Sequence, residues 1–441
     1  MVLLSRELKR LKITTPKKQV GGDDISLSYA GIIPDYKPVE YNENYENKES
    51  PKYYNKIKIV ENPEKNPGRN IQSGLLDIYI SMDSVEENSL LENNLKFSNK
   101  EQKINVVKWS IPVESKVLII GDIHGDKIAL ERVFQRWIKK KYLISSQTGA
   151  GKLQLRVAEN IYIISTGDLI DYGSNSITVL FAMLILRRDN PGKVMLLCGN
   201  HETDNQNISG RDKLNDEIEE KQKQISEKLI IKNIKLIGPD MLALHFGEEL
   251  EGTYFMHGMY PVKYTVGTRQ FTFWPKDLSI NGPLLETLIQ WNDLSTSGDT
   301  TATERDFGGQ TNVCALGKDK LREIMNIYRI KGFIRGHQDF CGAQLYHNKD
   351  MTDCSQTTNI TTTFINHNTD TDTYNYTREC KKTPSLFSSG WCKTDDIKYK
   401  WEKVDVDFEI ARVITISMAN EKTGSAPLGG YIELTVEKIN P

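Results

Sequence analysis

The chain contains 441 residues, which is long enough for a large core with attached segments. Its 57 Lys and Arg residues and 59 Asp and Glu residues leave a net charge of −2, so charge indicates neither a nucleic-acid nor a membrane partner. No apolar stretch approaches the roughly 18 residues that a membrane-spanning helix needs, and the N-terminus lacks the pattern of a secretory signal. We therefore expect a cytoplasmic protein without a membrane span.

The six cysteines contain no Cys-x-x-Cys pair and have no regular spacing. This pattern favours free thiols in a reducing compartment over a disulfide framework. The alternative is a small zinc site among the last four cysteines and two nearby histidines. Its ligands would come from Cys341, Cys354, Cys380, Cys392, His347 and His367.

We expect four regions along the chain. Residues 1–105 are rich in Lys, Asn, Glu and Tyr and predict an N-terminal extension that is only partly ordered, although LLDIYISM (75–82) has the pattern of a strand. Residues 106–340 alternate short apolar runs with helical patterns, which indicates an α/β core. A polar insertion at 341–407 and two closing strands of the core at 408–441 complete the chain.

Three core segments have helical patterns. ALERVFQRW (129–137) repeats apolar residues at helical spacing, and ITVLFAMLILRR (177–188) is apolar almost all round, so we expect an amphipathic and a buried helix. Residues 210–236 predict a charged helical insertion. Such a charge pattern is typical of a solvated face, and the alternative is a lid or a partner-binding arm.

Five short polar motifs each follow an apolar run with the pattern of a core strand. KVLII precedes GDIHGD, NIYIIST precedes GDLIDYG, KVMLLC precedes GNHET, GTYFM precedes HGM, and KGFIR precedes GHQD. In a layered α/β fold the carboxyl ends of the strands gather on one edge of the sheet, where ligands bind. The polar side chains expected there are Asp122, His124, Asp168, Asp171, Asn200, His201, His257 and His337.

This set of residues has the chemistry of a metal site. Several carboxylates would repel one another without cations, and mixed Asp, His and Asn ligands suit divalent ions such as Mn, Fe or Zn. A pair of ions needs one bridging carboxylate, and it favours displacement at phosphorus by an activated water. A single Asp or His is more often a turn or core residue, but four of the seven histidines fall in these motifs.

The ordered set GDIHG, GDLID-x-G, GNHE, HG and GHQ resembles the PPP family of metal-dependent protein phosphatases, within the calcineurin-like metallophosphoesterase superfamily. The step WNDL (291–294) and the closing strand–loop–strand at 413–436 are also similar to that family. The resemblance covers about residues 112–340 and 408–440. It implies an α/β fold in which a central β-sandwich is flanked by helices.

The resemblance also implies a role for each motif residue. His201 would be the general acid that protonates the leaving oxygen, oriented by Asp171, because a His–Asp pair fixes the tautomer and keeps the imidazole protonated. Two divalent ions would be bound, with Mn expected and Fe or Zn as alternatives. Their ligands would be Asp122 and His124 for the first ion, Asn200, His257 and His337 for the second, and Asp168 as the bridge.

The substrate side of the site departs from the PPP pattern. Tyr172 stands where the family usually has an Arg that grips the substrate phosphate with a bidentate fork, and Cys198 replaces the Arg before GNHE. Arg305 is the candidate for the second phosphate-gripping Arg. We therefore expect a retained metal site and a rebuilt phosphate clamp, with Asn200, Arg305 and Tyr172 facing the phosphate.

The sequence thus predicts a two-metal phosphoprotein phosphatase that hydrolyses phosphomonoesters of a phosphorylated protein. Tyr172 offers an aromatic face, which favours phosphotyrosine over phosphoserine or phosphothreonine. One alternative is a nucleotide or dinucleoside-polyphosphate hydrolase, and another is a catalytically weak scaffold that binds phosphoproteins. Retention of His201 and Asp171 argues against the scaffold. The composition would also fit a bacterial effector resembling the Legionella Wip proteins, secreted into a host cell.

Overall fold

The computed structural model describes residues 27–28, 53–61, 88–92, 106–147, 153–203, 213–221, 227–235, 237–247, 252–265, 270–273, 283–295, 300–302, 313–338, 342–347, 359–368, 373–381, 402–407, 411–417 and 430–438. Residues 88–92 are helical, and the helices that follow are α1 (Lys127–Lys139), α2 (Ser176–Asp189), α3 (Asn200–Thr203), α4 (Lys213–Lys221), α5 (Glu227–Lys235), α6 (Pro283–Trp291) and α7 (Lys318–Tyr328). In these ranges no helix is both long and apolar enough to span a membrane.

Most strands belong to two large sheets. The six-stranded sheet has the order β20 (Glu402–Asp407), β2 (Tyr53–Glu61), β22 (Gly430–Lys438), β4 (Lys116–Ile120), β7 (Ile161–Ser165), β8 (Val194–Leu196). The seven-stranded sheet has the order β1 (Leu27–Ser28), β3 (Val106–Ile111), β9 (Met241–Phe246), β10 (Gly252–Met256), β16 (Ile330–Arg335), β21 (Ala411–Ser417), β17 (Gly342–His347).

The remaining strands form small sheets. Three antiparallel pairs are β5 (Leu143–Gln147) with β6 (Leu153–Val157), β11 (Val262–Thr265) with β12 (Gln270–Phe273), and β18 (Asn359–Asn368) with β19 (Thr373–Lys381). A three-stranded sheet has the order β13 (Asp293–Leu294), β15 (Cys314–Leu316), β14 (Thr301–Ala302).

The two large sheets pack face to face with helices outside them. Along β4, Val117 and Ile119 join a core cluster that contains residues of both sheets, whereas Leu118 and Ile120 join the cluster formed with α1 and α2. This alternation follows from the two-residue period of a strand, and burial on both faces explains why β4 reads as a continuous apolar run. A third cluster packs α6 and α7 on the outer face of the seven-stranded sheet. The predicted β-sandwich flanked by helices is confirmed.

The predicted helices of the core are also confirmed. The buried side of α1 includes Val133, Phe134 and Trp137, and Asp126 caps the helix by accepting a hydrogen bond from the Ala129 N–H at 2.9 Å. Helix α2 is buried from its first residue through Leu186. A helix with apolar residues all round must be enclosed on every side, and here α1, α4 and the strands enclose it.

The charged segment at 210–236 contains α4 and α5, and it is more than a solvated face. Leu214 and Ile218 of α4 and Ile230 and Ile234 of α5 are buried in the same core cluster as α2. One side of the helical pair therefore packs on the core, while charged residues such as Glu219 face solvent.

Strands also occur in the regions at 1–105 and 341–407. Strand β2 lies between β20 and β22 and pairs antiparallel with both, so the N-terminal segment adds a strand to the six-stranded sheet. The closing strands predicted from ARVITISMA and GGYIELTVE are confirmed as β21 and β22. The strand predicted at 75–82 lies outside the described residues.

Candidate metal centre

The five polar motifs follow strands of both large sheets. Strands β4, β7 and β8 are parallel neighbours in one sheet, and β10 and β16 are parallel neighbours in the other. The expectation of a single sheet edge is therefore wrong, because the motif strands belong to two sheets, and the motifs converge at one end of the sandwich. Parallel strands direct their carboxyl ends to the same edge, and face-to-face packing brings the two edges together.

Two overlapping groups of buried acids and histidines share Asp168. In the first, the Asp168 Oδ2 atom lies 3.4 Å from His124 Nε2 and 4.0 Å from His201 Nε2. In the second, it lies 3.1 Å from His257 Nε2, while His257 Nδ1 lies 3.6 Å from Asp122 Oδ1. The ligand atoms within each group all lie within 4.8 Å of one another, and Asp168 belongs to both groups, which suits a carboxylate shared by a pair of ions.

The other two proposed ligands adjoin the second group. Asn200 Oδ1 lies 2.7 Å from His257 Nε2 and 3.0 Å from His337 Nδ1. The Asp122 Oδ2 atom accepts a hydrogen bond from the His337 backbone N–H at 2.9 Å. All six sequence-predicted ligands therefore meet in one buried space, and their mixture of carboxylate, amide oxygen and imidazole fits a pair of divalent ions.

Backbone carbonyl groups orient two of the imidazoles. The Nδ1 atom of His124 lies 3.0 Å from the Ile170 carbonyl oxygen, and the Nδ1 atom of His257 lies 3.1 Å from the Thr166 carbonyl oxygen. A carbonyl oxygen can only accept, so each Nδ1 donates and each Nε2 is left to bind at the centre. Outer hydrogen bonds of this kind are usual for histidines that bind metal.

The loops of the centre hold an unusual backbone conformation. A positive φ is uncommon for residues other than glycine and costs free energy, and it gathers at functional sites. Site residues with positive φ are His124 (47°), Asp168 (51°), Asp171 (70°), Tyr172 (60°) and His337 (73°). Two glycines permit close approach: a Cβ on Gly199 would collide with the Asp168 carboxylate, and one on Gly336 with the Asp122 carboxylate.

His201 and Asp171 form a hydrogen-bonded pair beside Asp168. The Nδ1 atom of His201 lies 2.8 Å from Asp171 Oδ2, and the His201 backbone N–H donates to Asp168 Oδ1 at 3.1 Å. Burial and the charge of Asp168 raise the pKa of Asp171 to about 8. Cations held by Asp168 would offset that charge, so metal binding is expected to lower the pKa of Asp171.

Asp168 and His257 compensate each other electrostatically. Burial alone would raise the pKa of Asp168, but the imidazoles of His257, His201 and His124 together hold it well below its usual range. Burial alone would lower the pKa of His257, but Asp168 and Asp122 raise it to about 9. Divalent ions would take over this compensation from protons, because metal binding requires deprotonated imidazoles.

Two half-buried aromatic rings flank the centre. The Tyr172 ring lies edge-on to the His124 ring with centroids 4.8 Å apart, and its centroid lies 5.0 Å from that of His201. On the other side, the Trp291 ring lies edge-on to His337 at 5.7 Å. Of the three predicted phosphate-facing residues, Asn200 and Tyr172 are thus at the centre, and Arg305 lies outside the described residues.

Glu202 is a residue of the centre to which the sequence analysis assigned no role. Its buried carboxylate accepts hydrogen bonds from the backbone N–H groups of Gly199 at 2.7 Å and of Asp168 and Leu169 at 2.8 Å. It thereby ties the GNHE turn to the GDLID loop. Burial and the charge of Asp168 raise its pKa to about 7, although the bonds from Gly199 and Leu169 act in the opposite direction. The available sequence signal was an acid directly after His201.

Comparison with known families decides what kind of fold carries this centre. The family model described as Calcineurin-like phosphoesterase matches residues 115–339, just over half of the chain and all five motifs. The chain belongs to the calcineurin-like phosphoesterase family. This membership confirms the fold and the enzyme class that the sequence predicted, a metal-dependent phosphoesterase.

Individual relatives agree with the PPP resemblance. The chain is 33% identical over 93 residues to the serine/threonine-protein phosphatase 6 catalytic subunit of Drosophila melanogaster. These 93 residues are 21% of this chain and 25% of that protein. The chain therefore spans about a quarter of the length of this curated relative.

Two solved structures are similar in fold. A Saccharomyces cerevisiae protein serine/threonine phosphatase with similarity to human phosphatase PP5 shares 18% identity at a TM-score of 0.44, covering 61% of this chain and 77% of that one. A cold-active protein tyrosine phosphatase shares 17% identity at a TM-score of 0.33, covering 54% of this chain and 68% of that one. At such scores neither structure assigns an activity or a substrate to this chain.

Proposed function

We propose that the protein is a two-metal phosphoprotein phosphatase that hydrolyses phosphomonoesters. The observation that carries the proposal is the position of Asp168, which is shared by two buried groups of ligands and lies next to the His201–Asp171 pair. When bound, two divalent ions would activate a water and neutralise the phosphoryl group. We infer Mn as the native metal, with Fe or Zn as alternatives that suit the same ligands.

The six ligands keep the roles implied by the family pattern in this proposal. Asp122 and His124 would hold the first ion, and Asp168 would be a ligand shared with the second. The second ion would be held by three residues that lie together, since one amide oxygen is 2.7 and 3.0 Å from two imidazole nitrogens. These residues are Asn200, His257 and His337.

His201 supplies the proton to the leaving oxygen. Its Nδ1 faces Asp171 at 2.8 Å, so the proton available to a substrate is the one on Nε2. That atom lies 4.0 Å from Asp168 Oδ2, on the side of the metal ligands. A leaving oxygen in the centre would therefore come within reach of Nε2, as general acid catalysis requires.

We further propose a preference for phosphotyrosine. Tyr172 gives up the bidentate grip of an arginine, a loss of about 1.5–3 kcal/mol for a charge-assisted contact. Its ring lies 5.0 Å from the ring of the proton donor His201, so an aromatic leaving group would meet an aromatic wall there. Such a contact contributes about 0.5–1.5 kcal/mol beyond burial. A phenolic leaving group also needs less help from the clamp.

The substrate class and the free thiols support a cytoplasmic site of action. The thiols of Cys198 and Cys314 are buried and form no disulfide, which suits a reducing compartment. Delivery into a host cell, as for an effector, stays a prediction from composition.

Turnover by the Mn²⁺-loaded protein tests the proposal. We expect hydrolysis of nitrophenyl phosphate and of phosphopeptides, with little action on a dinucleoside polyphosphate. Hydrolysis of the dinucleoside polyphosphate in preference to phosphopeptides would instead identify the nucleotide hydrolase. Tight phosphopeptide binding without turnover of any substrate would identify a scaffold.

Matched peptides that differ only in the phosphorylated residue test the preference. Tyr172→Arg should shift the kcat/KM ratio towards phosphoserine, and Tyr172→Phe should keep the wild-type ratio because it retains the ring. A wild-type preference for phosphoserine, or an unchanged ratio in Tyr172→Arg, would contradict the role of Tyr172 without affecting the phosphatase assignment.

A further inference from the structure

Helices α4 and α5 contact α2 and α3, the two helices beside the His201–Asp171 pair. Helix α4 contacts α2, whose first residue, Ser176, accepts a hydrogen bond on Oγ from the Asp171 backbone N–H at 3.0 Å. Helix α5 contacts α3, which contains His201. Asp171 lies in the loop before α2 and His201 lies in α3, so the geometry of their hydrogen bond depends on how α2 and α3 are held relative to each other.

The first turn of α2 is capped by a residue that is distant in the sequence. The N-cap residue Asn175 makes no side-chain cap bond, and its amide instead donates to Ser174 Oγ at 3.0 Å. The hydroxyl of Ser176 is engaged by Asp171. The Ile177 backbone N–H donates at 3.1 Å to Oε2 of Glu217, which lies on α4, 40 residues further along the chain. A carboxylate at a helix N-terminus satisfies a donor that has no partner within the helix, and it is also favoured by the helix dipole.

We propose that Glu217 is a positioning residue for the Asp171–His201 pair, an inference that rests on the proposed function. The connection is short: Glu217 holds the start of α2, and the start of α2 holds the Asp171 backbone through Ser176. The Asp171 backbone needs this support because its φ of 70° is unfavourable for a residue other than glycine. The buried position of Glu217 makes the bond to Ile177 hard to replace with water.

Glu217→Ala tests the proposal, with Glu219→Ala on the exposed side of the same helix as the matched control. In Glu217→Ala we expect kcat for a phosphoserine peptide, which needs the acid, to fall by about tenfold through the lost charge-assisted bond. For nitrophenyl phosphate, whose leaving group needs little protonation, we expect a loss below about twofold. Bound metal should stay at the wild-type amount, and Glu219→Ala should match the wild type.

Amide hydrogen exchange provides a readout that does not depend on turnover. Residues 171–177 should exchange faster in Glu217→Ala than in the wild type and in Glu219→Ala. Unchanged exchange in this segment, or equal rate losses for both substrates, would overturn the positioning role. If Glu217→Ala does not fold, Glu217→Gln, which keeps an acceptor but loses the charge, should show the same changes in weaker form, and wild-type behaviour there would overturn the role. Failure of the wild type to hydrolyse either substrate would refute the phosphatase assignment. The exchange result would still decide whether Glu217 holds the segment 171–177 in place.

Discussion

Charged residues cluster at both ends of strand β4. Just beyond its carboxyl end, Asp122 belongs to the metal centre. At its amino end, the Lys116 Nζ atom lies 3.1 Å from Glu433 Oε2, and Lys140 Nζ lies 2.5 Å from Glu433 Oε1. The Tyr431 hydroxyl also donates to Glu433 at 3.1 Å.

The two ends differ in what balances the carboxylates. At the amino end burial alone would raise the pKa of Glu433, but Lys140 and Lys116 hold it below its usual value. Burial lowers the pKa of Lys140, where Arg136 and Lys116 also repel added charge, despite the attraction of Glu433. At Lys116 the attraction of Glu433 and the bond to Tyr142 outweigh burial and raise the pKa.

At the carboxyl end the balancing groups are the imidazoles of His257, His201 and His124. Lysines keep their charge and balance Glu433 without a metal ion, so the ion pairs at the amino end are structural. Imidazoles can exchange a proton for a metal ion, so the carboxyl end is suited to binding one. The group that balances the carboxylates, and whether it can exchange its proton for a metal ion, therefore distinguishes a candidate binding site from a structural ion pair.

The largest effect is expected from Asp168→Asn, which weakens a ligand shared by both ions. Both metal equivalents should be lost, and kcat/KM should fall by more than about 10³-fold, since metal ions contribute several kcal/mol at the transition state. Elemental analysis and steady-state kinetics measure these losses. The exposed Asp319→Asn serves as control. Two tightly held metal equivalents in Asp168→Asn would refute the bridging role.

His201→Gln should leave the metals bound and reduce the rate by about 10²–10⁴-fold, the usual contribution of general acid–base catalysis. The loss should shrink for leaving groups of low pKa because they depart without a proton. A series of aryl phosphates compared with a phosphoserine peptide measures this dependence. Equal losses across the series would remove His201 from the role of acid.

Glu202→Gln tests a residue that supports the centre without facing the substrate. Glu202 accepts three backbone N–H bonds, so a glutamine in either orientation points its NH₂ at one or more of these donors. Metal affinity or activity should fall by about 10- to 100-fold, as for other outer-shell substitutions. Metal titration with Glu323→Gln, an exposed substitution on α7, provides the comparison. Wild-type affinity and activity would show that the loops hold without this clamp.

Glu433→Gln should affect stability alone. At pH 7 the free energy of unfolding should fall by about 2–3 kcal/mol, below the usual cost of breaking a buried pair because both lysines are partly exposed. Because the folded pKa of Glu433 is lowered, its contribution exists above the unfolded value near 4.5 and disappears as the pH falls through the folded value.

Denaturation of the metal-free protein at pH 7 and below pH 4 measures this difference between wild type and Glu433→Gln. The two proteins should converge at the lower pH. The activity per bound metal should match the wild type at neutral pH. A loss of activity without a loss of stability would contradict the structural assignment of the amino end.

The sequence by itself determined the strands of the core, the helices α1 and α2 and the six polar side chains that meet in one buried space, and their role as metal ligands stays a prediction. Each depends on local patterns: apolar runs that end in glycine and an acid or histidine, or apolar residues at helical spacing. The order of the motifs was enough to predict the candidate metal centre, because parallel strands bring their carboxyl ends together in many arrangements of the sheets.

The tertiary structure decided contacts between residues far apart in the chain. It divided the five motif strands between two sheets, and it brought Lys116 to Glu433 across 317 residues. It also decided that the Tyr172 ring packs against those of His124 and His201, since the direction of a side chain depends on the backbone conformation and on packing. Propensity describes a residue and its neighbours, whereas these contacts depend on how distant elements pack.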